Sequence, residues 1–395
     1  MAGDLVLLTG GTGMIGFKTL IKLLEAGYSV RAAVRNQAGF DKISALKPTA
    51  NYKQQLSSVV VPDITIPGAY DEAVKGVKYI VHVASPLAGK SQGNDYEAAI
   101  IQPAIQGTVG ILESANKTVG IERIVITASV ASLASTARLS TGKIVDEQTH
   151  DVQTKGPFTN EFAAYSASKG LSFQATKDFV KEKKPSFDVI SILPTFVIGR
   201  DNTVTDVSNI GKGTNGFVIG PILGQPRDNP MNGITVHVDD VAKLHVLSLD
   251  PKIEGNQAFL AAGPNYSAVV WADSFDIVRR HYPKEYAAGV FKFDSITPPV
   301  TVLAKVDNAK ARKTFGIEFK SFEEQVVSLV DHFLELRGRG YYNKLTSTYS
   351  AYAIYAMALP VGVHIGIELT NFVKPLEKAA LKLGTLAARE AFRVF

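Results

Sequence analysis

The sequence predicts an α/β fold: a doubly wound parallel sheet, a smaller C-terminal substrate lobe and an extra helical tail. Three observations carry this. Short runs rich in Val and Ile alternate with amphipathic stretches through residues 1–199, the pattern of parallel βαβ units. A glycine-rich turn joins the first run to the first amphipathic stretch. After Gly199 the alternation stops, and residues 211–230 become dense in Gly, Pro and Asn, the composition of loop.

In chain order, strands are expected at 5–9, 29–34, 57–61, 79–83, 123–127 and 188–193, most of them short and apolar enough to be buried on both faces. The first helix is expected over 14–26, where Ile15, Leu20, Leu23 and Leu24 share a face and Gly27 supplies a C-terminal stop. Longer helices follow at 94–117 and 165–183, then 239–249, 270–281 and 322–336. The chain thus divides into a nucleotide-binding domain over 1–199, to which a strand and helix around 234–262 return, a substrate lobe over 200–340, and a tail over 341–395.

Bulk properties exclude several functions. Of 395 residues, 46% are hydrophobic and 20% charged, so the chain buries a core and is not disordered. It has no cysteine, which removes thiolate catalysis, disulfides and cysteine-held metal and fits a reducing compartment. Its seven histidines show no metal-ligand spacing, so no metal is expected. A net charge of +5, dispersed along the chain, does not describe a nucleic-acid binder. Asp4 stands directly before Leu5-Val6-Leu7-Leu8 with no basic segment ahead. The start therefore reads as a first strand and not a secretory signal, and a cytoplasmic location is expected.

The first expected strand runs into Gly10-Gly11-Thr12-Gly13-Met14-Ile15-Gly16 and then a helix. Glycines there permit a tight turn and close approach of the backbone to a pyrophosphate, which rests on free N–H groups at the positive helix end. The run parses as Gly11-x-Gly13-x-x-Gly16 or as Gly10-x-x-Gly13-x-x-Gly16. Its strand–turn–helix setting separates it from an ordinary glycine turn. At the end of the second strand a carboxylate would accept from the ribose 2′-hydroxyl of NAD. This chain instead reads Arg31-Ala32-Ala33-Val34-Arg35-Asn36, and Arg35 suits the 2′-phosphate of NADP(H); the alternative is a solvated strand-end cation. Asp63 follows the third strand near the expected adenine, and Asp serves equally as a turn residue there. The fourth strand ends in His82-Val83-Ala84-Ser85-Pro86. Small Ala84, Ser85 and Pro86 would line the cofactor's path, while His82, inside the strand, reads as structural.

Tyr165 and Lys169 stand four residues apart, on one face of an expected helix. The ammonium would favour tyrosinate and lower the phenol's pKa from about 10, so that Tyr165 can donate a proton to a developing alkoxide or take one back. Such a pair arises by chance in a chain rich in both residues, so position must carry the argument. The strand at 123–127 leads into Ala128-Ser129, a hydroxyl at the carboxyl edge where doubly wound sheets bind ligands. Ser129 is placed to hold a substrate carbonyl oxygen, and Ser132 is a weaker candidate. Asp239 and Asp240 could pass for a paired-carboxylate site, but at a helix start they read as capping and dipole-stabilising groups.

Thr9 through Gly16, Thr127-Ala128-Ser129, Tyr165-x-x-x-Lys169 and Pro194-Thr195-Phe196-Val197 together resemble the extended short-chain dehydrogenase/reductases of the NAD-dependent epimerase/dehydratase superfamily. Val81-His82-Val83-Ala84-Ser85-Pro86, Pro103-Ala104-Ile105-Gln106-Gly107-Thr108 and Val236-His237-Val238-Asp239-Asp240-Val241-Ala242 are similar to the dihydroflavonol-reductase-like branch. That branch includes cinnamoyl-CoA reductases and fungal aldehyde and ketone reductases. The resemblance spans residues 5–336. It implies a Rossmann fold, NADP(H) and a small-molecule carbonyl substrate. It also implies Ser129, Tyr165 and Lys169 as the catalytic triad, with Lys169 also on the nicotinamide ribose. Pro194 and Val197 would border the nicotinamide, Asp63 and Ile64 would meet the adenine, and Thr127 joins the cofactor-facing set. The chain departs from the branch at Ala128, where Ser is usual, and at Leu193 and Arg200, which replace an Asn and a Pro. Arg200 would then be free to meet an acidic substrate.

The tail has its own character. Residues 345–367 hold no Asp, Glu, Lys or Arg; thereafter Lys374, Lys378 and Lys382 recur opposite Phe372, Leu376, Leu383 and Leu386. Six basic residues stand against three acidic ones in 341–395. A basic amphipathic helix beside an apolar segment suits peripheral contact with an anionic membrane, or packing on the core or on a second subunit. The leading expectation is an NADPH-dependent reductase that converts an aldehyde or ketone to an alcohol with Tyr165 as general acid. The alternatives are a 3β-hydroxysteroid or sterol dehydrogenase-like oxidoreductase and a catalytically silent NADP(H)-binding regulatory protein. The particular substrate is left open, because the irregular lobe would set it, and so is the oligomeric state.

Overall fold

The computed structural model describes residues 3–85, 95–263 and 269–338. Seven strands form one sheet: β1 (Leu5–Thr9), β2 (Ser29–Val34), β3 (Leu56–Val60), β4 (Tyr79–His82), β5 (Arg123–Thr127), β6 (Asp188–Pro194) and β7 (Gln257–Ala261). Their order is β7-β6-β5-β4-β1-β2-β3, and every pair is parallel. The strand order reverses between β1 and β4, which opens a crevice at their carboxyl ends.

The helices that matter for the site are α1 (Met14–Glu25), α2 (Gln37–Ser44), α3 (Gln102–Asn116), α4 (Glu161–Lys183), α5 (Gly216–Ile222) and α6 (Val238–Leu247), with α7 over 322–338. Alternation along the strands explains how they pack. Val6 and Leu8 of β1 join Phe17, Leu20 and Leu24 of α1 and Val241 and Leu244 of α6 in one layer. Leu7 points the other way, into Ile111 and Leu112 of α3 and Phe179 of α4. With both faces covered, the central strands read as mostly apolar runs, as in Leu5–Thr9 and Tyr79–His82.

Two helix starts are set by asparagine. The side chain of Asn36 accepts from the N–H of Gly39 at 3.0 Å and that of Asn160 from Ala163 at 2.9 Å. The second cap starts α4 before Tyr165, so the tyrosine sits in a formed second turn. The start expected at residue 94 lies outside the described residues; a π-turn over Glu97–Ile101 leads into α3, whose first turn accommodates Pro103.

The amino-terminal edge of the sheet is held by charge. Arg123, 5% exposed, donates from Nε and Nη2 to the Asp188 carboxylate at 2.6 and 2.8 Å. Its remaining N–H groups reach the carbonyls of Ser248 (2.8 Å), Asp250 (2.7 Å) and Ile253 (2.7 Å). Beside it, Lys78 bridges Asp4 at 3.0 Å and Glu122 at 3.6 Å.

Beyond β6, Ile198, Ile219, Trp271, Phe275, Phe293, Val326 and Leu329 form a separate core. Residues 211–230 are not all loop: α5 lies within them and buries Val218, Ile219 and Ile222. Their Gly and Pro content was the misleading signal. Pro221 sits inside the helix, and a Cβ on Gly216 would lie 2.4 Å from the carbonyl oxygen of Gly211, so that glycine serves close packing. At α6 the cap is His237, whose Nδ1 accepts from the N–H of Asp239 at 3.0 Å. Asp239 pairs with Lys18 of α1 at 2.9 Å, and Asp240 accepts from the backbone N–H of Lys320 at 2.8 Å. The two carboxylates therefore brace helices. The chain up to Gly338 forms one compact unit, and the tail expected over 341–395 lies outside the described residues. Among the described residues no helix is long and apolar enough to cross a membrane.

Candidate active site

The glycine run forms the turn from β1 into α1. Gly10 has φ +72°, and a Cβ there would lie 2.7 Å from the backbone nitrogen of Ala84. A Cβ on Gly16 would lie 2.1 Å from the carbonyl oxygen of Gly10. The contacts favour the Gly10-x-x-Gly13-x-x-Gly16 parse, because Gly11 would meet only ordinary van der Waals neighbours. Gly13 caps α1 without a side chain, so the amides of Met14, Ile15 and Gly16, the first of the helix, have no intrahelical partner. A cradle kept open by glycine and floored by free amides fits a dinucleotide pyrophosphate. Thr12 is exposed on its rim.

Arg35 is exposed immediately past β2. Asp63, past β3, accepts from the backbone N–H of Thr65 at 2.9 Å and from its hydroxyl at 2.7 Å. Those bonds, helped by the Arg35 charge, hold its carboxyl below the usual carboxylate range. Asp63 is thus a turn residue, and Ile64 beside it packs on the α3 layer.

Sequence reasoning missed the part played by Thr9. Its Oγ1 accepts from the N–H groups of Val83 (3.1 Å) and Ala84 (3.0 Å) and lies 3.0 Å from Nδ1 of His82. With both lone pairs used, the hydroxyl proton goes to Nδ1, so His82 is neutral with its proton on Nε2. Burial agrees, pulling the imidazole down to about 3. His82 is structural, as expected. Thr9 was findable by the argument used for Ser129, since it ends a strand at the carboxyl edge. Ser85 sits at the end of this segment, and Pro86 lies outside the described residues.

β5 ends at Thr127, whose Oγ1 lies 2.7 Å from Nε2 of His245 on α6. Nδ1 of His245 meets the carbonyl of Val241 at 2.7 Å and must donate to it, so Thr127 donates to Nε2. Burial keeps that imidazole neutral, pulled to about 4. Nothing in the sequence ties His245 to Thr127. Next along, Ser129 caps a short 3-10 turn, accepting from the N–H of Ala131 at 3.1 Å, and its hydroxyl is near enough to the Tyr165 phenol to pull the phenol's pKa down. Ser132 is 5% exposed, one turn further in; Ser129 is the serine that meets the phenol.

Lys169 lies one turn after Tyr165 on α4. Its Nζ donates to Ser85 Oγ at 2.9 Å and stands 5.7 Å from the centre of the Tyr165 ring. Burial pulls the ammonium down to about 8. Burial pushes the Tyr165 phenol up, and the Ser129 hydroxyl only partly offsets it. The expected acidification of the phenol by Lys169 is therefore corrected: desolvation wins, and the ammonium is directed at Ser85. Beneath Lys169 a small cavity of ≈ 20 Å³ is lined by His82, Thr108, Ser172 and Thr176. Pro194 ends β6 and Val197 begins the core beside it, 6% exposed. Arg200 is not free: its guanidinium pairs with Glu335 on α7 and its N–H donates to Ser328 Oγ at 3.1 Å. The loss of the family's proline left an N–H and a side chain that tie the lobe's last helix to β6.

A model of the NAD dependent epimerase/dehydratase family matches residues 6–261. The chain is 35% identical over 344 residues to ketoreductase CTB6 of Cercospora beticola, covering 85% of this chain and 96% of that protein. It is 29% identical over 337 residues to the putative NADPH-dependent methylglyoxal reductase GRP2 of Candida albicans, covering 81% and 96%. Among solved structures, Gre2 of Candida albicans in complex with NADPH has the same fold, with a TM-score of 0.73 at 23% identity over 84% of this chain and 99% of that one. With a family model over residues 6–261 and a relative 35% identical along most of its length, this chain belongs to the NAD-dependent epimerase/dehydratase family.

Proposed function

We propose that the protein reduces a ketone or aldehyde to an alcohol, with Tyr165 giving the proton, Ser129 orienting the carbonyl oxygen and Lys169 keeping a positive charge beside them. It is an NADP-dependent oxidoreductase, and bound NADPH supplies the hydride. The observation that carries the reading is Lys169 Nζ, bonded to Ser85 and 5.7 Å from the centre of the Tyr165 ring, with the Ser129 hydroxyl acting on the same phenol, at the sheet edge that also carries the glycine cradle. Burial raises the phenol's pKa, so Tyr165 stands protonated and ready to act as an acid. Lys169, at about 8, is still mostly charged at neutral pH. Gly10, Gly13, Met14, Ile15 and Gly16 would hold the pyrophosphate, Arg35 the 2′-phosphate, and Ala84, Ser85, Thr127, Pro194 and Val197 the nicotinamide half. The names of the ketoreductase and NADPH-dependent relatives support the same direction.

The test is a panel of ketones and aldehydes with NADPH and NADH, read as nucleotide oxidation. Turnover with NADPH on some members is expected. Tight NADPH binding with no turnover on any would transfer the case to a silent nucleotide-binding protein. From the sequence alone we add that residues 345–395 make peripheral contact with anionic membrane while the enzyme faces the cytosol. Full-length protein that stays unbound in liposome flotation would remove that addition.

A further inference from the structure

The arginines of the described chain are mostly satisfied. Arg123 is saturated, Arg200 pairs with Glu335, Arg279 with Asp276 and Asp294, Arg280 with Glu323 and Arg312 with Glu318. Arg35 and Arg337 stand in solvent. Arg227 is different. It is only partly exposed, its guanidinium carbon lies 4.4 Å from the centre of the Phe217 ring, and Nη1 is 2.9 Å from Sδ of Met231. A thioether is a weak acceptor, and a guanidinium has five N–H donors. Among the described residues Arg227 forms no salt bridge. Burial accordingly pulls its pKa below the ordinary arginine value.

Its setting points to the site. Phe217 meets Phe196 edge-on with centres 5.2 Å apart, and both rings border Trp271, at 6.2 and 6.1 Å. Phe196 begins two residues after Pro194, at the carboxyl end of β6. Phe196 and Ala128 pack against the same cluster, which contains Val130, so the ring borders the hydrophobic layer under the carboxyl edge that carries Ser129. From the carboxyl end of β6, Phe196 and Phe217 form a pair of rings that ends on the partly desolvated Arg227 cation.

We propose that Arg227 is a specificity-determining residue that receives an anionic oxygen group of the substrate, a carboxylate or acidic phenol, while Phe196 and Phe217 flank the body carrying the ketone. The guanidinium stays charged and its planar fork matches a carboxylate in two parallel bonds. This rests on the reductase reading and narrows its substrates to aromatic keto compounds with an acidic group.

The experiment uses the full chain, NADPH, and aryl keto acids of increasing tether length, each beside its methyl ester. The best acid is expected to exceed its ester in kcat/KM by about ten- to hundredfold, the worth of a hydrogen-bonded charge. Arg227→Met erases that ratio by raising KM for the acid alone, and Arg227→Lys keeps part of it; a structural role would weaken acid and ester together. A ratio near one at every tether length in the unaltered protein overturns the proposal, whatever the variants do, and reduction of the esters then leaves the reductase reading standing. Binding is read separately from Trp271, the chain's one tryptophan. Quenching by acids and not esters, without NADPH oxidation, upholds Arg227 and removes the reductase reading. Quenching by neither, with no oxidation, overturns both.

Discussion

At the amino-terminal edge of the sheet, Asp4, Lys78, Glu122, Arg123 and Asp188 pair with one another, and Arg123 uses all its donors on a carboxylate and three carbonyls. At the opposite edge, about 17 Å away along five-residue strands, polar groups are left with capacity to spare. The first amides of α1 are free for an anion, and Thr12 is exposed on the rim of that cradle. One edge spends its polar groups on holding strands together, and the other keeps them for something that arrives. Stability and chemistry are thereby separated along the same strands, and substitutions at the two edges are expected to fail in different ways.

The largest effect belongs to the carboxyl edge. Tyr165→Phe is expected to lower turnover by about 10²–10⁴ while leaving the denaturant midpoint and NADPH affinity unchanged; near-normal turnover would remove the proton-donor role. In the unaltered protein kcat/KM for reduction should decline above pH 8 as Lys169, at about 8 in the free enzyme, loses its charge. Arg123→Met is the counterpart at the amino edge. It leaves Asp188 without its partner and should cost about 3–5 kcal/mol of stability in urea unfolding, with specific activity retained in the folded fraction; a loss of activity without loss of stability would break the comparison. Arg35→Ser should raise KM for NADPH about ten- to hundredfold and leave NADH unaffected, and equal effects on both nucleotides would place the 2′-phosphate elsewhere.

A pH dependence spread over three histidines belongs to neither edge alone. Burial holds His82 at about 3, and His237 and His245 at about 4, against an unfolded value of about 6.5. The unfolded chain takes up protons first, so their contribution is fully present above pH 6.5 and is lost as pH falls towards 4. Urea midpoints at pH 7.5, 5.5 and 4.5 should fall in that order, and a flat series would show that these imidazoles titrate normally.

Much of the sheet was legible in the sequence. β1, β2 and β5 have the expected bounds, because burial on both faces calls for short runs dominated by apolar residues. The placement of Tyr165 and Lys169 on one helix, with Ser129 just past a strand end, was legible for a related reason: helix spacing and strand ends are local properties of the chain. Illegible were contacts set by packing across long separations. Thr127 finds His245, and Arg200 finds Glu335, only once α6 and α7 have docked. α5 hid inside a Gly- and Pro-rich stretch because its Gly216 serves close packing rather than a turn. The direction of the Tyr165 shift was misjudged because spacing reports a neighbouring charge but not the water that folding removes.

The Arg123 cluster also has a consequence for how the chain is made. Its last acceptor, Ile253, lies 130 residues downstream of the arginine. At roughly 5–20 residues per second on the ribosome, the guanidinium waits on the order of 6–26 s for that carbonyl to emerge. Until then the arginine's last donor lacks its carbonyl, so closure of this edge waits on chain made long after β5 itself.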